Sequence, residues 1–188
     1  MKIALLLILT PFFGLSQNVD SLIIHDFWKK YDKSVRDTLT IFNDFSVSIK
    51  ELPDEFYQLK QLRIVKLDTE ISLEELSSDV KNFTELEELL IQKSKLTSLP
   101  KEIGQLKKLK SLTVAWGGQL SHIPPEIGDL ENLEHLDLYR NNLTTLPESI
   151  KNLKSLKLLR LGENNFSEDE KQRIKRLLPN CEVRFDYN

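Results

Sequence analysis

His135 and Asp137 are the residues of this chain whose types and spacing best fit acid-base chemistry. They stand two positions apart, so both side chains would project from one face of an extended strand. A histidine beside a carboxylate can transfer protons near neutral pH. A hydrolase also needs a nucleophile in a strained turn and an oxyanion-hole loop, and neither pattern accompanies the pair. We therefore predict an ion pair between His135 and Asp137 and no enzymatic activity.

Metal and redox sites find little support in the residue types present. Cys181 is the single cysteine and cannot form an internal disulfide, and His25, His122 and His135 lack the close spacing of zinc ligands. The acidic stretch from Glu163 to Glu170 lacks the alternating aspartates of a calcium loop. We predict a buried core cysteine, no metal site and no cofactor.

The charge balance disfavours nucleic acid as a partner. The chain has 26 Lys and Arg residues against 29 Asp and Glu residues, and a net charge of -3. A nucleic-acid-binding domain of this size usually carries a basic surface. We therefore expect no nucleic-acid partner.

The amino terminus has the pattern of an export signal. Lys2 precedes an apolar run from Ile3 to Leu9, and small residues end at Ser16. This order of basic, apolar and small residues is typical of a signal peptide, and the apolar stretch is shorter than the ~20 residues of a membrane-spanning helix. We predict cleavage after Ser16, export to the periplasm or the medium, and no membrane-spanning segment.

A recurring pattern, LxxLPxxIxxLxxL, must position all of these side chains. Its three copies are Leu96, Leu99, Pro100, Ile103, Leu106, Leu109; Leu120, Ile123, Pro124, Ile127, Leu130, Leu133; and Leu143, Leu146, Pro147, Ile150, Leu153, Leu156. Aligned on the first leucine of LxxLxL, successive units begin at Leu62, Leu86, Leu109, Leu133 and Leu156. This period predicts a solenoid of leucine-rich repeats, in which neighbouring units bury one another's leucines.

Two positions of the repeat unit differ from one unit to the next. Asn141 and Asn164 follow the first leucine of their units by eight residues, where an asparagine amide can bond the backbone of adjacent turns. Ser94 occupies this position in the unit at Leu86, and Gly117 and Gly118 replace the asparagine in the next unit. Ser77 stands where other units have proline.

Both ends of an open solenoid expose apolar surface and need caps. Helical spacing of apolar residues from Ile24 to Val35 predicts an amphipathic helix over residues 21–36. Ser167 and Glu170 have the spacing of a capping box, which predicts a helix that ends near Pro179, followed by a short strand over residues 182–185.

These features divide the chain into four parts. An incomplete unit from Ile49 to Leu59 precedes the five clear ones, so we expect five to six repeats. The predicted parts are a signal peptide over 1–16, an N-terminal cap over 17–38, leucine-rich repeats over 39–166 and a C-terminal cap over 167–188.

The repeats resemble bacterial members of the leucine-rich repeat family with the LPxxIxxLxxL pattern, and are similar to those of Ras-scaffold and plant disease-resistance-type proteins. The resemblance covers residues 49–181. It implies an α/β solenoid shaped as a horseshoe, with a parallel β-sheet on the concave side. It also implies a protein-binding scaffold.

In that fold, the residues between the inward leucines project from the concave face. Trp, Tyr and Arg are enriched among binding hot spots, and here they fall in adjacent units. The candidate binding residues are Leu90, Thr113, Trp116, His135, Asp137, Tyr139, Arg140, Leu158 and Arg160. We predict a protein or peptide ligand. The alternative is a carbohydrate or cell-envelope ligand that stacks on Trp116 and Tyr139. If the patch binds no ligand, Trp116 simply folds back over its glycine bulge and the rest is a solvated face.

Overall fold

The computed structural model describes residues 50–52, 54, 56–67 and 72–186, together with the backbone of residues 6–8, 38–42 and 68. Within these residues the strands form one parallel sheet in chain order. They are β1 Leu6–Ile8, β2 Thr38–Phe42, β3 Ile64–Asp68, β4 Glu88–Gln92, β5 Ser111–Ala115, β6 His135–Asp137, β7 Leu158–Arg160 and β8 Glu182–Arg184. The predicted repeat solenoid with an open parallel sheet is confirmed.

Short 3-10 helices carry the chain back from one strand to the next. They are η1 Phe56–Gln58, η2 Ser78–Asn82, η3 Lys101–Gln105, η4 Pro125–Asp129 and η5 Glu148–Asn152. The prolines of the repeat pattern stand directly before the last three, in an extended conformation that their rings favour. Each unit thus has its strand on one side of the solenoid and its 3-10 helix on the other.

The leucines of LxxLxL form a continuous core between these two layers. In β5, Leu112 is fully buried, and it is in register with Leu89 on one side and Leu136 on the other. Burying one such leucine contributes roughly 2 kcal/mol. A shift of one residue would turn these side chains to the concave face, so the leucine spacing fixes the register of the whole sheet.

Ser77 shows why one unit lacks its proline. Its φ of -60° and ψ of 149° match those of Pro100 in the next unit, so a proline would fit the backbone. However, the Ser77 N–H donates to the Tyr57 hydroxyl at 3.2 Å, and the Ser77 hydroxyl accepts from the Asp79 N–H. Burial raises the pKa of Tyr57 to about 12, so its hydroxyl stays neutral.

The predicted helix after the repeats is present as α1, Glu168–Leu177. The Ser167 hydroxyl accepts from the Glu170 N–H, as in a capping box, but the Glu170 carboxylate accepts instead from the Thr145 hydroxyl and the Leu146 N–H of the preceding unit. Arg173 pairs with Glu170 at 2.7 Å. The hydrogen bond from Arg173, with those from Leu146 and Thr145, lowers the pKa of Glu170. β8 follows and is one residue shorter than predicted.

The N-terminal predictions are only partly covered by the described residues. The predicted helix over 21–36 lies outside them, and so does most of the predicted signal peptide over 1–16. β1 falls within that segment, but a strand in the uncut chain does not test its removal. β2 pairs with β3, and Leu52, Phe56 and Leu59 are buried, so the incomplete unit adds a turn to the solenoid. In the described residues, no helix has the length and apolarity to span a bilayer.

Candidate binding surface

Trp116, Tyr139 and Arg140 form a stack where β5 and β6 end. The rings of Trp116 and Tyr139 are 5.0 Å apart between centroids and inclined by 57°. The Arg140 guanidinium lies 5.2 Å from the centroid of the Trp116 ring, within the range of a cation-π interaction. Trp116 is nevertheless 38% exposed, and it is the one large apolar residue classed as exposed in the described part of the chain.

Trp116 and Arg140 share an unusual backbone conformation. Their φ angles are 64° and 54°, and Lys93 and Glu163 have φ angles of 52° and 56°. These four residues occupy the same place in consecutive units, one to three residues past the end of the strand, and we call them the exit row. A left-handed residue other than glycine costs roughly 1–2 kcal/mol. Its recurrence in four units shows that the repeat itself imposes the turn.

Backbone hydrogen bonds hold the exit row in register. The N–H groups of Lys93 and Trp116 donate to the carbonyls of Ala115 and Tyr139, both at 3.0 Å, and the same bond joins the next pair of units. The sheet ladder therefore continues past the strands. Neighbouring side chains of the row are separated by about one strand spacing, ~4.8 Å.

Two glycines shape the surface on either side of the stack. A Cβ atom on Gly117 would lie 2.5 Å from the Ser94 carbonyl oxygen, so the unit that carries Trp116 has no room for the usual asparagine. A Cβ atom on Gly162 would lie 3.0 Å from the Tyr139 ring. The Tyr139 ring is thus held between Trp116 and the bare backbone of Gly162.

A shallow depression of about 240 Å³ lies on the sheet beside the stack. It is lined by Thr113, His135, Leu136, Asp137, Leu158 and Arg160. Five of these six are predicted binding residues. Leu90 is half-buried and stands beside Thr113 in the register of β4 and β5. The structure therefore brings the predicted residues together in two adjoining groups, the stack and the depression.

The predicted ion pair between His135 and Asp137 is wrong. Asp137 pairs instead with Arg160 at 3.5 Å, and its other carboxylate oxygen accepts from the Tyr139 N–H at 3.0 Å. Successive side chains on one face of a strand are about 6.5 Å apart, whereas the neighbouring strand is only ~4.8 Å away. The closer cation therefore belongs to β7 and not to β6.

The asparagine ladder lies directly behind the stack. The Asn141 amide donates to the carbonyls of Val114 and Leu138, at 2.7 and 3.0 Å. The Asn164 amide donates to Leu138 and Leu161, at 2.8 and 3.0 Å. Both side chains satisfy carbonyls at the strand exits, so the predicted ladder is confirmed. Ser94 is buried at the equivalent position.

A column of alternating charge along the solenoid was not predicted. Its members hold the second position of each LxxLxL: Arg63, Glu87, Lys110, Glu134 and Lys157. Glu87 pairs with Lys110 and Arg63 on its two sides, and Glu134 pairs with Lys157. These hydrogen bonds lower the pKa of both carboxyl groups. The alternation of sign is visible in the sequence once the units are aligned, so this column of ion pairs could have been predicted from it.

Cys181 and the acidic residues are the remaining candidates for a metal or redox site. Cys181 is half-buried against the core, less deeply than predicted, and its burial raises the pKa of the thiol to about 11. In the described residues, no group of three or more His, Cys, Asp or Glu side chains is arranged to hold a metal ion.

Comparisons with known proteins agree with this geometry. A family model described as "Leucine rich repeat" matches residues 108–166. The leucine-rich repeat domain of the type III effector XopL is 27% identical and matches 74% of this chain with a TM-score of 0.63. Residues 108–166 are therefore leucine-rich repeats by sequence, and the fold is that of a leucine-rich repeat protein. No curated protein matches it significantly.

Other solved leucine-rich repeat proteins share the fold at lower identity. An internalin, InlF of Listeria monocytogenes, is 22% identical over 81% of this chain, with a TM-score of 0.64. The Arabidopsis receptor kinase HAESA, solved with the peptide hormone IDA and the co-receptor SERK1, is 23% identical over 69%, with a TM-score of 0.57. This leucine-rich repeat protein spans 49%, 42% and 22% of the XopL, internalin and HAESA chains, respectively.

Proposed function

We propose that this leucine-rich repeat protein is exported and binds a protein or peptide ligand through its concave face, without catalysis. The observation that carries the proposal is the exposed stack of Trp116 on Tyr139 and Arg140 beside the depression. Contiguous apolar surface rimmed by polar residues marks interaction sites, and Trp116 lies on the same face as the half-buried Leu90 and Leu158. Tryptophan, tyrosine and arginine are also the residues that most often dominate binding energy.

The stack is ordered before any ligand arrives. Tyr139 is supported by Gly162, and the asparagine ladder fixes the strand exits beneath it. A ligand therefore meets side chains whose positions are already set, which lowers the entropic cost of association. Leu90 and Leu158 extend the apolar area of the same face.

The fold of this family supports protein recognition in general. HAESA, a protein of the same fold, was solved with a peptide hormone. Carbohydrate binding, the alternative raised by the sequence, gains no support from these comparisons. Catalysis is disfavoured because Asp137, the carboxylate that would orient a histidine base, is engaged by Arg160 and the Tyr139 N–H instead of His135.

Export rests on the pattern of the first sixteen residues. It is tested by the mass of the protein recovered from the medium and the periplasm. Loss of residues 1–16 is the expected result. An intact amino terminus in the cell interior would contradict export but would leave the binding surface unaffected.

The binding role is tested by site-specific photocrosslinking in the source cells. A photoreactive amino acid at Thr113, on the concave face, is compared with one at Gln105, which is exposed on the 3-10 side. We expect a protein to be captured from Thr113 and not from Gln105. The same capture is then repeated in a Trp116→Ala, Tyr139→Ala background, where it should be lost.

Circular dichroism must first show that the double variant keeps its fold. Equal capture with and without Trp116 and Tyr139 would contradict the assignment of the stack. Capture from Gln105 alone would move the interaction to the opposite side of the solenoid. Capture of glycan instead of protein from Thr113 would refute a protein ligand.

A further inference from the structure

The exit row contains two cations, Lys93 and Arg140, that have no carboxylate partner among the described residues. In the described part of the chain, neither Lys93 nor Arg140 forms an ion pair with a carboxylate, and both are exposed. The cations of the neighbouring sheet face are all paired: Lys66 with Glu88, Arg160 with Asp137, and Arg184 with Glu182. The two unpaired cations stand on either side of Trp116.

We propose that the exit row binds an extended, acidic segment of a partner protein, with an apolar side chain on Trp116 and carboxylates on Lys93 and Arg140. This inference rests on the proposed function and adds the chemistry of the ligand. The Arg140 guanidinium keeps its contact with the Trp116 ring through its face. Its N–H groups, which lie in the plane of the group, stay available for a bidentate carboxylate.

The spacing of the row fits an extended segment that crosses the strands. Lys93 and Arg140 are two strand spacings apart, or about 10 Å between backbones. An extended chain rises about 3.3 Å per residue, so acidic residues three or four positions apart span roughly 10–13 Å. The flexible side chains of lysine and arginine cover the remaining difference. In a helical ligand the same residues would be only about 5–6 Å apart.

The row also limits how much negative charge the ligand carries. Glu163 is its next member and is exposed. A continuous polyanion along the row, such as a nucleic acid or a highly sulfated glycan, would be repelled by this carboxylate. Two discrete carboxylates around an apolar group avoid it.

The test uses the purified full chain and three fluorescein-labelled peptides. Each peptide has one phenylalanine at its centre and serine elsewhere, with Asp, Asn or Lys placed two residues to either side of the phenylalanine. Dissociation constants are measured by fluorescence anisotropy at about 50 mM and 300 mM NaCl, because the higher salt screens exposed charges. A heparin-derived hexasaccharide serves as the anionic glycan probe.

We expect the Asp peptide to bind roughly tenfold more tightly than the Asn peptide at low salt, since each exposed ion pair contributes about two- to fivefold. The Lys peptide should bind weakest, and the preference for Asp should shrink at high salt. Lys93→Ala and Arg140→Ala should each remove part of that preference. Lys101→Ala, an exposed lysine on the 3-10 side, is the matched control and should leave it unchanged.

Equal binding of the Asp and Asn peptides, or an equal effect of Lys101→Ala, overturns the proposal. So does tighter binding of the hexasaccharide than of the Asp peptide, and so does the absence of binding by all three peptides. The proposed function is judged separately. If Trp116→Ala abolishes capture of a natural partner while the Asp preference is missing, the concave face still binds protein and only the acidic chemistry is refuted.

Discussion

Replacing Ser77 with proline, the residue expected from the repeat pattern, should destabilise the protein. The backbone of Ser77 already has proline-like angles, so the substitution introduces no strain. By restricting the unfolded chain, it would contribute about 0.4–1 kcal/mol of stability. In a repeat without the hydrogen bond to Tyr57, that gain would make the substitution stabilising.

The losses exceed this gain. Proline has no N–H, so the buried Tyr57 hydroxyl loses its 3.2 Å donor, at a cost of about 1–2 kcal/mol for an unsatisfied buried group. The Ser77 hydroxyl, which accepts from the Asp79 N–H, is also lost, and a missing N-cap costs typically ~1 kcal/mol. The sum is a net loss of roughly 1–2 kcal/mol.

The assay is urea unfolding followed by circular dichroism, with free energies from linear extrapolation. Ser77→Ala removes only the hydroxyl, and Tyr57→Phe removes only the acceptor behind the N–H. In the Tyr57→Phe background, the cost of Ser77→Pro should fall by the value of the lost hydrogen bond. A Ser77→Pro variant at least as stable as the parent, or with the same cost in both backgrounds, would refute the reasoning.

Three further predictions concern the C-terminal helix, the glycine bulge and the lone thiol. Glu170→Gln should destabilise the protein at neutral pH, and the difference in stability between variant and parent should vanish in acid. The pKa of Glu170 is lowered in the folded state. The stability that its carboxylate contributes is therefore present above the ordinary glutamate pKa and is lost as the pH falls through the folded-state pKa. Urea midpoints between neutral and acidic pH measure it, and a constant difference would contradict it. Gly117→Ala should cost more than Gly118→Ala, because a Cβ on Gly117 meets the Ser94 carbonyl at 2.5 Å whereas one on Gly118 meets nothing within 4 Å and carries only the left-handed penalty of roughly 1 kcal/mol. Thermal unfolding compares them, and the reverse order would refute the steric argument. Cys181 should react with a disulfide reagent at about pH 8 far more slowly than a free cysteine, since its pKa of about 11 keeps the thiol protonated. The absorbance of the released thiolate follows the reaction. Equal rates in native and urea-unfolded protein would contradict the burial of the thiol.

The repeat spacing predicted the architecture because every unit repeats the same physical problem. A unit of about 23 residues cannot bury LxxLxL by itself, so its leucines are buried only against neighbouring units. The same logic placed Asn141 and Asn164 in the ladder, since carbonyls at strand exits need donors there. The helix after Ser167 could also be predicted, because the residue that caps it lies next to its first turn in the sequence.

Predictions failed or stopped short where contacts join different units. Asp137 was assigned to His135 on its own strand, but the cation it meets is Arg160 in the next unit. Glu170 completes no capping box, because its carboxylate bonds to Thr145 and Leu146 in the preceding unit. In each case the partner that the sequence did not reveal lies more than twenty residues away in the chain.

The sequence by itself determined the solenoid, its register and the set of residues on the concave face, because these depend on the period of the leucines. The tertiary structure decided how those residues are grouped. No residue preference predicts the left-handed turn of the exit row, because none of its four members is glycine or asparagine: Lys93, Trp116, Arg140 and Glu163. It follows from the strand ladder of adjacent units, which continues past the strands and fixes each backbone against its neighbour. Which cations of the described residues remain unpaired beside Trp116 depends on that packing, and so does the ligand chemistry that we propose.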